Sequence, residues 1–337
     1  MAYVNVREIV KMGIDGYRNR LATYSVKESQ DTIRDALIDA NNGSTVLDWR
    51  AVRDGKCVGL FSIVEEVLGT TVIDGLQEND FFMTLVDYRN VAEGDQNKFL
   101  IEDSVLFTVD KVSDGNQAVG RQRISGVSEI SIPTVMHMVR IYEELNRVLA
   151  GRVDFNEMIQ KVSKSYQQQI LSDIYALYAN ATAADFGGAV YFPAAGSYSA
   201  DTLLTLIDHV EAAAGGKPAT IYSTKKGLRK AVEIIQSDQA KEELHNFGYY
   251  GKFYGTPCVA LPQRHQTGTT TFMFGDEMLI IAGDEKPFKF VYEGNPIVLM
   301  GDPMTNADLT QEFLYGSKYG LGIVTAGNTG IGRYETT

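Results

Sequence analysis

The stretch from Ser131 to Ala181 constrains this chain most. After Pro133, apolar residues recur at Val135, Met138, Val139, Tyr142, Leu145, Val148 and Leu149. Steps of three and four put them on one face of a helix, and Pro133 stands where a helix can begin without losing a hydrogen bond. Gly151 interrupts the pattern. Asp154 follows as an N-cap, with Glu157 in the capping-box relation. A second helix then carries Phe155, Met158, Ile159, Val162, Tyr166, Ile170, Ile174, Leu177 and Tyr178 on one side. Lys161, Lys164 and Gln167 to Gln169 lie on the other. Its expected length is about 36 Å, at about 1.5 Å of rise per residue. A helix that long suits a strut across a flat subunit better than a piece of a compact core.

What precedes this strut reads as attached rather than self-sufficient. Residues 1–55 form a loose arm that holds the only tryptophan, Trp49. Within it, Ser29 to Gly43 is a short amphipathic helix with Ile33, Ala36, Leu37 and Ala40 as its stripe, stopped by Asn41, Asn42 and Gly43. Such a stripe must lie on the rest of its own subunit or on a neighbour. Leu60, Phe61, Ile63, Val64, Val67 and Leu68 predict another apolar helix, ended by Gly69. The pattern then turns strand-like at Phe81, Phe82, Thr84, Val86 and Tyr88. A Gly94-Asp95 turn leads to near-alternation over Phe99, Ile101, Val105, Phe107 and Val109. Ser113-Asp114-Gly115-Asn116 is a hairpin turn, because Asp-Gly accepts positive φ. The return strand covers roughly Ala118 to Ile132. A two-stranded ribbon is marginal alone and its open edges need a partner. It is either an ordinary hairpin within a sheet or an arm laid across an adjacent subunit.

Beyond a Gly/Ala/Ser-rich connection at 182–199, the pattern becomes α/β. A helix through Leu203, Leu206, Ile207 and Val210 ends at Gly215-Gly216. A strand at Ala219 to Tyr222 runs through Ser223-Thr224 into a helix from Lys225 to Gln236. Strands follow at Thr256 to Leu261, Thr270 to Phe274, Met278 to Ile281, Phe288 to Tyr292 and Ile297 to Met300, with a last strand or strand pair at Leu309 to Val324. There is no internal repeat and no low-complexity tract.

The net charge of −12 argues against tight nucleic-acid binding by the bulk surface, which needs clustered Lys and Arg. Residues 61–130 hold 13 Asp and Glu against 5 Lys and Arg, whereas 131–180 balance at 5 and 5. The acidic zone is either a solvated face or one that pairs with another copy. No apolar run approaches the ~18 residues that span a bilayer, and the first residues do not read as a signal peptide. Cys57 and Cys258 read as plain thiols in a reducing compartment.

Catalytic patterns fail one by one. Gly320-Leu-Gly322 begins like a dinucleotide loop, but Thr325 stands where the third glycine belongs and no helix follows. It reads as a strand with glycines at close-packing points. Gly215-Gly216-Lys217 runs into Pro218 and makes no phosphate loop. His137, His209, His245 and His265 are dispersed, and none has metal-ligand spacing. Cys258 follows Pro257 with no second cysteine nearby. No catalytic, cofactor-binding or metal-ligating residue is assigned, and the weight moves to a structural role.

The order of elements resembles the major capsid protein family of tailed bacteriophages, the HK97-type fold. The join Ile130-Ser-Ile-Pro133 ahead of the strut carries the likeness, with Leu149-Ala-Gly151-Arg-Val-Asp154. So do Ile221-Tyr-Ser-Thr224, Tyr254-Gly255-Thr-Pro257, Phe274-Gly275-Asp276 and Lys318-Tyr-Gly-Leu-Gly-Ile323. The likeness spans about 60–330. It implies an α+β, HK97-like capsid fold: an N-terminal arm (1–80), an extended β-hairpin loop (81–132), a peripheral domain with a spine helix (131–189 and 285–310) and a mixed α/β axial domain (190–284 and 311–330). It also implies a non-enzymatic shell subunit that self-assembles into hexamers and pentamers of an icosahedral head. The partners would be itself, portal and scaffolding or decoration proteins, and double-stranded DNA enclosed without sequence-specific binding, with no membrane and no cofactor. Such a protein would sit in the virion, and in the host cytoplasm during assembly. The rival readings are an encapsulin-like nanocompartment shell and a soluble α/β enzyme with an unrecognised site.

Overall fold

A computed structural model describes residues 6–17, 26–46, 50, 54, 58–77, 80–95, 97–101, 106–112, 120–124, 126, 128–142, 147, 149–152, 155–194, 196–231, 242, 245–300, 312–325 and 329–335. Trp49, Cys57, Asp154 and the Ser113–Asn116 turn lie outside the described residues.

The strut is present as α5, Phe155–Ala179, 25 residues long. Its predicted stripe is its buried side: Met158, Ile159, Val162, Tyr166, Ile170, Ile174 and Tyr178 are all buried. Three earlier helices lie with it, α1 (Val6–Tyr17), α2 (Val26–Ala40) and α3 (Val58–Gln77). Ile33, Ala36 and Leu37 of α2 pack with Val67, Leu68, Ile159 and Val162, so the arm lies on its own subunit. α2 stops where the sequence says it should. Asn42 and Gly43 take positive φ, and the Gly43 N–H bonds back to the Ile38 carbonyl at 2.8 Å. α3 does not stop at Gly69. A Cβ there would stand 2.6 Å from Pro296 Cγ, so that glycine marks a close approach within an unbroken helix.

Two sheets flank α5. The first has the order β1-β9-β10-β4, built from β1 (Val86–Val91), β9 (Phe288–Met300), β10 (Glu312–Ile323) and β4 (Val135–Tyr142). β1 runs parallel to β9; the other neighbours are antiparallel. The second has the order β11-β8-β5-β7-β6: β11 (Gly330–Tyr334), β8 (Met278–Ala282), β5 (Ala219–Thr224), β7 (Thr256–Leu261) and β6 (Lys252–Phe253). Helices α6 (Ala200–Ala213) and α7 (Lys225–Lys230) pack on it through Leu203, Leu206, Val210 and Leu228. A shared core joins the two sheets: Tyr222, Leu279 and Ile331 of the second meet Phe288, Phe290, Tyr292 and Tyr319 of the first, along with Ile170 and Ile174.

Several expectations change. The first of the two predicted helices is the strand β4 over 135–142, paired from Val135↔Tyr319 to Tyr142↔Glu312. Val135, Val139 and Ile141 are β-branched, and a free edge of β10 outweighs a helical spacing that was equally compatible with apolar residues on both faces. Residues 80–85 are the short helix α4, Asp80–Leu85, and the strand begins only at Val86. The helix after Thr224 ends at Lys230. Residues 270–274 make only the single bridge His265↔Phe272. The two strands expected at 288–292 and 297–300 are one, β9, which passes through Gly294 at φ +71°. β10 pairs with β9, so residues 312–323 share a sheet with 288–300, whereas β11 joins the sheet of residues 219–282.

Candidate assembly interface

The ribbon has a firm root and a bare shaft. β2 (Lys98–Ile101) pairs with β3 (Ser128–Ser131), from Lys98↔Ser131 to Ile101↔Ser128. At the root, Phe99 is buried with Ile132 and Val291, and the Arg89 guanidinium lies 3.9 Å above its ring. Asn97 ties the two strands together: its Nδ2 donates to the Ile132 carbonyl at 2.5 Å, and its Oδ1 accepts from the Ile132 N–H at 3.4 Å. Lys98 Nζ pairs with Glu129 at 2.6 Å. Beyond the ladder, 106–112 and 120–124 run exposed and outside any strand. Gln122 bridges them, its Nε2 donating to the Thr108 carbonyl and its Oε1 accepting from the Thr108 N–H, both at 2.7 Å. One side chain thus makes the two bonds a ladder would make. Leu106 and Val109 are each 89% exposed and Ile124 72%. Apolar groups this bare, carried in series, mark a surface that another surface covers.

Glu293, in β9, fastens the base of this arm. Its carboxylate accepts from Lys318 Nζ at 2.7 Å, from the Gly94 N–H at 3.2 Å and from the Thr134 hydroxyl. Gly94 precedes β2 and Thr134 follows β3, so one carboxylate grips both ends of the ribbon. These hydrogen bonds, Lys318 first, hold its pKa down at about 2.

Beside β4 an open groove of about 630 Å³ runs between the sheet and the C-terminal half of α5. Its floor includes Val135, Tyr319 and Leu321, and its wall Asp173, Ala176 and Leu177. His137 lies flat on Tyr319, ring centroids 3.7 Å apart and planes within 8°. The Tyr319 hydroxyl donates to Asp173 Oδ2 at 2.7 Å, and His137 Nε2 stands 3.9 Å from the same oxygen. Burial, then the bonded Asp173, push the Tyr319 phenol up, so it stays a donor. Asp185 closes one end; hydrogen bonds from the Thr182 backbone and hydroxyl hold its carboxyl low. The arrangement offers charge and shape but no nucleophile and base pair.

The other residues weighed in the sequence have structural employment. Gly320 and Gly322 are close-approach points in β10: a Cβ on Gly320 would stand 2.4 Å from the Pro133 carbonyl oxygen. Gly215 and Gly216 close α6 with positive φ. His209 and His245 are exposed, and His265 stacks on Phe272 at 5.4 Å. Burial pushes the half-buried Cys258 thiol up to about 11, so it is not nucleophilic at neutral pH. Among the described residues, no cluster of His, Cys, Asp and Glu could hold a metal, and no helix is long and apolar enough to cross a membrane.

Sequence reasoning missed Arg333 of β11. It is buried, and its Nη1 donates to the Ala179 and Tyr178 carbonyls at 2.8 and 3.3 Å, where α5 ends. Its Nη2 lies 3.5 Å from both Glu277 and Glu335. Only its place after three glycines, in Gly327–Arg333, could have flagged a strand there.

Residues 56–315 match a protein family described as "SPbeta prophage-derived putative capsid protein YonB". No curated protein matches the sequence. Among solved structures, the chain is similar to the mature capsid subunit of bacteriophage PhiM1, with 12% identity over 77% of this chain and 87% of that one and a TM-score of 0.48. It is similar to the procapsid of satellite phage P4, which includes the size determination protein Sid, with 13% identity over 80% and 90% and a TM-score of 0.46. It is also similar to the virus-like particle of Pyrococcus furiosus, with 14% identity over 80% and 99% and a TM-score of 0.43. A family match that runs from α3 through the ribbon and α5 into β10 takes in both the root and the groove, and the chain belongs to the YonB family of prophage-derived capsid proteins, a structural family and not an enzymatic one.

Proposed function

We propose that this chain is the major capsid protein of a tailed, double-stranded DNA phage, with an HK97-type fold. Copies associate as hexamers and pentamers and close an icosahedral head. The ribbon of 81–132 is the extended loop over a neighbour. The α5 layer with the β1-β9-β10-β4 sheet is the peripheral domain, and the β11-β8-β5-β7-β6 sheet with α6 and α7 is the axial domain. Portal and scaffolding or decoration proteins complete the particle. The acidic chain encloses DNA without reading its sequence, since −12 of net charge favours containment over adhesion. Subunits assemble in the host cytoplasm and end in the virion.

The observation that carries this reading is the bare ribbon in a capsid-family chain: the root is tightly fixed while Leu106 and Val109 stand 89% exposed. A shell gives every copy a neighbour to cover them, and closed symmetry repeats the contact around the particle. Size-exclusion chromatography and negative-stain microscopy of the expressed protein test it. Capsomers or closed megadalton particles are expected, and nucleic acid is expected in particles recovered from a productive infection. A stable monomer or small oligomer at high concentration overturns it.

A further inference from the structure

The groove beside β4 and the bare ribbon are complementary, and neither is filled within the subunit. We propose that the groove between α5 and the outer edge of β4 receives the ribbon arms, 106–112 and 120–124, of a second copy of this chain. The inference rests on the shell reading above and gives it a receiving site.

Three observations carry it. First, β4 ends its sheet, and among the described residues no strand pairs with its outer edge. Val135 and Met138 on it are 61% and 52% exposed. An eight-residue edge with exposed apolar side chains is a template for an added strand. Second, 106–112 is extended, rich in Leu, Phe and Val, and paired across the ribbon only at Thr108 among the bonds described. It brings what an edge lacks. Third, the charges match. The arms carry Lys111, Arg121 and Arg123 against Asp110, a basic stretch in an acidic protein. The groove presents Asp173 and Asp185, with His137 the one facing group able to take positive charge. The ribbon's own root, plugged by Phe99 and clasped by Asn97, leaves the arms free of the groove in the same chain. The occupant is therefore a neighbour.

The test joins the two surfaces covalently. V109C and V135C chains are made separately, mixed, assembled and oxidised. A disulfide-linked pair is expected from the mixture and from neither variant alone, since a bridge needs Cα atoms within about 7 Å. M138C replaces V135C in a parallel arm, to allow for register. Particles that form normally yet give no linked pair in either arm overturn this docking and leave the shell reading intact. A chain carrying both substitutions that closes the bond within itself also overturns it. Failure of the unsubstituted protein to form capsomers or particles overturns the shell reading instead. Independently, Val109→Asp is expected to cut particle yield about tenfold or more, with an unchanged subunit melting temperature because the residue is exposed; undiminished yield counts against the docking.

Discussion

At the scale of single residues, two charged side chains do work that nothing in the local sequence announces. Arg333 caps the carboxyl end of α5 from a strand more than 150 positions away, with bonds to Ala179 and Tyr178. Arg333→Met leaves those carbonyls and Glu277 without their cation. It is expected to cost about 3 kcal/mol, read as a lower denaturant midpoint of the subunit. Glu293 behaves differently because it titrates. Its folded pKa, about 2, lies below the ordinary glutamate value of about 4.3. Its contribution is present in full above about 4.3 and is lost as pH falls through about 2. The melting temperature of the wild type should therefore decline across that acid window, and Glu293→Gln should flatten that part of the curve while lowering stability at pH 7. An identical acid limb in both proteins would contradict this. Neither residue was legible in the sequence, because a lone Arg or Glu has no periodicity; only the fold supplies the partner. His137 was legible as a packing residue, but not its partner Tyr319, which reaches it only through the β4–β10 register.

At the scale of elements, legibility followed length and contrast. α5 could be read because seven turns of one-sided burial leave an unmistakable period, and α2 because its stripe ends at a glycine with positive φ. β4 was misread because its apolar residues are dense enough to fit both periods, and the choice was made by β10. Gly69 was misread because a glycine within a helix looks the same in sequence whether it ends the helix or admits Pro296. The distinction is testable. Gly69→Leu should overpack the α3–β9 contact and cost roughly 1–3 kcal/mol, whereas a glycine that merely ended a helix would tolerate it. Gly320→Val drives a side chain into the Pro133 backbone, which cannot retreat as a side-chain tip can. Loss of soluble protein, assayed by expression at low temperature, is the expected outcome.

At the scale of the whole molecule, the subunit holds its arm, strut and two sheets through shared cores but leaves the ribbon outside them. Deleting 103–120 should therefore leave the circular dichroism and melting of the subunit nearly unchanged while abolishing closed particles; normal particles from that deletion would end the ribbon's role. The sequence conveyed this division of labour through the marginal hairpin, and it could not convey which sheet takes each late strand. The first sheet has one further effect, on timing. Asp87 of β1 and Lys289 of β9 bond across 202 positions, so translation must continue well past the ribbon before its base can be fixed. At synthesis rates of about 5–20 residues per second, that is a delay of roughly 10–40 s. A nascent polypeptide cannot present a rooted ribbon to its fellows on the same message until its own C-terminal third has emerged, which keeps polymerisation off the ribosome.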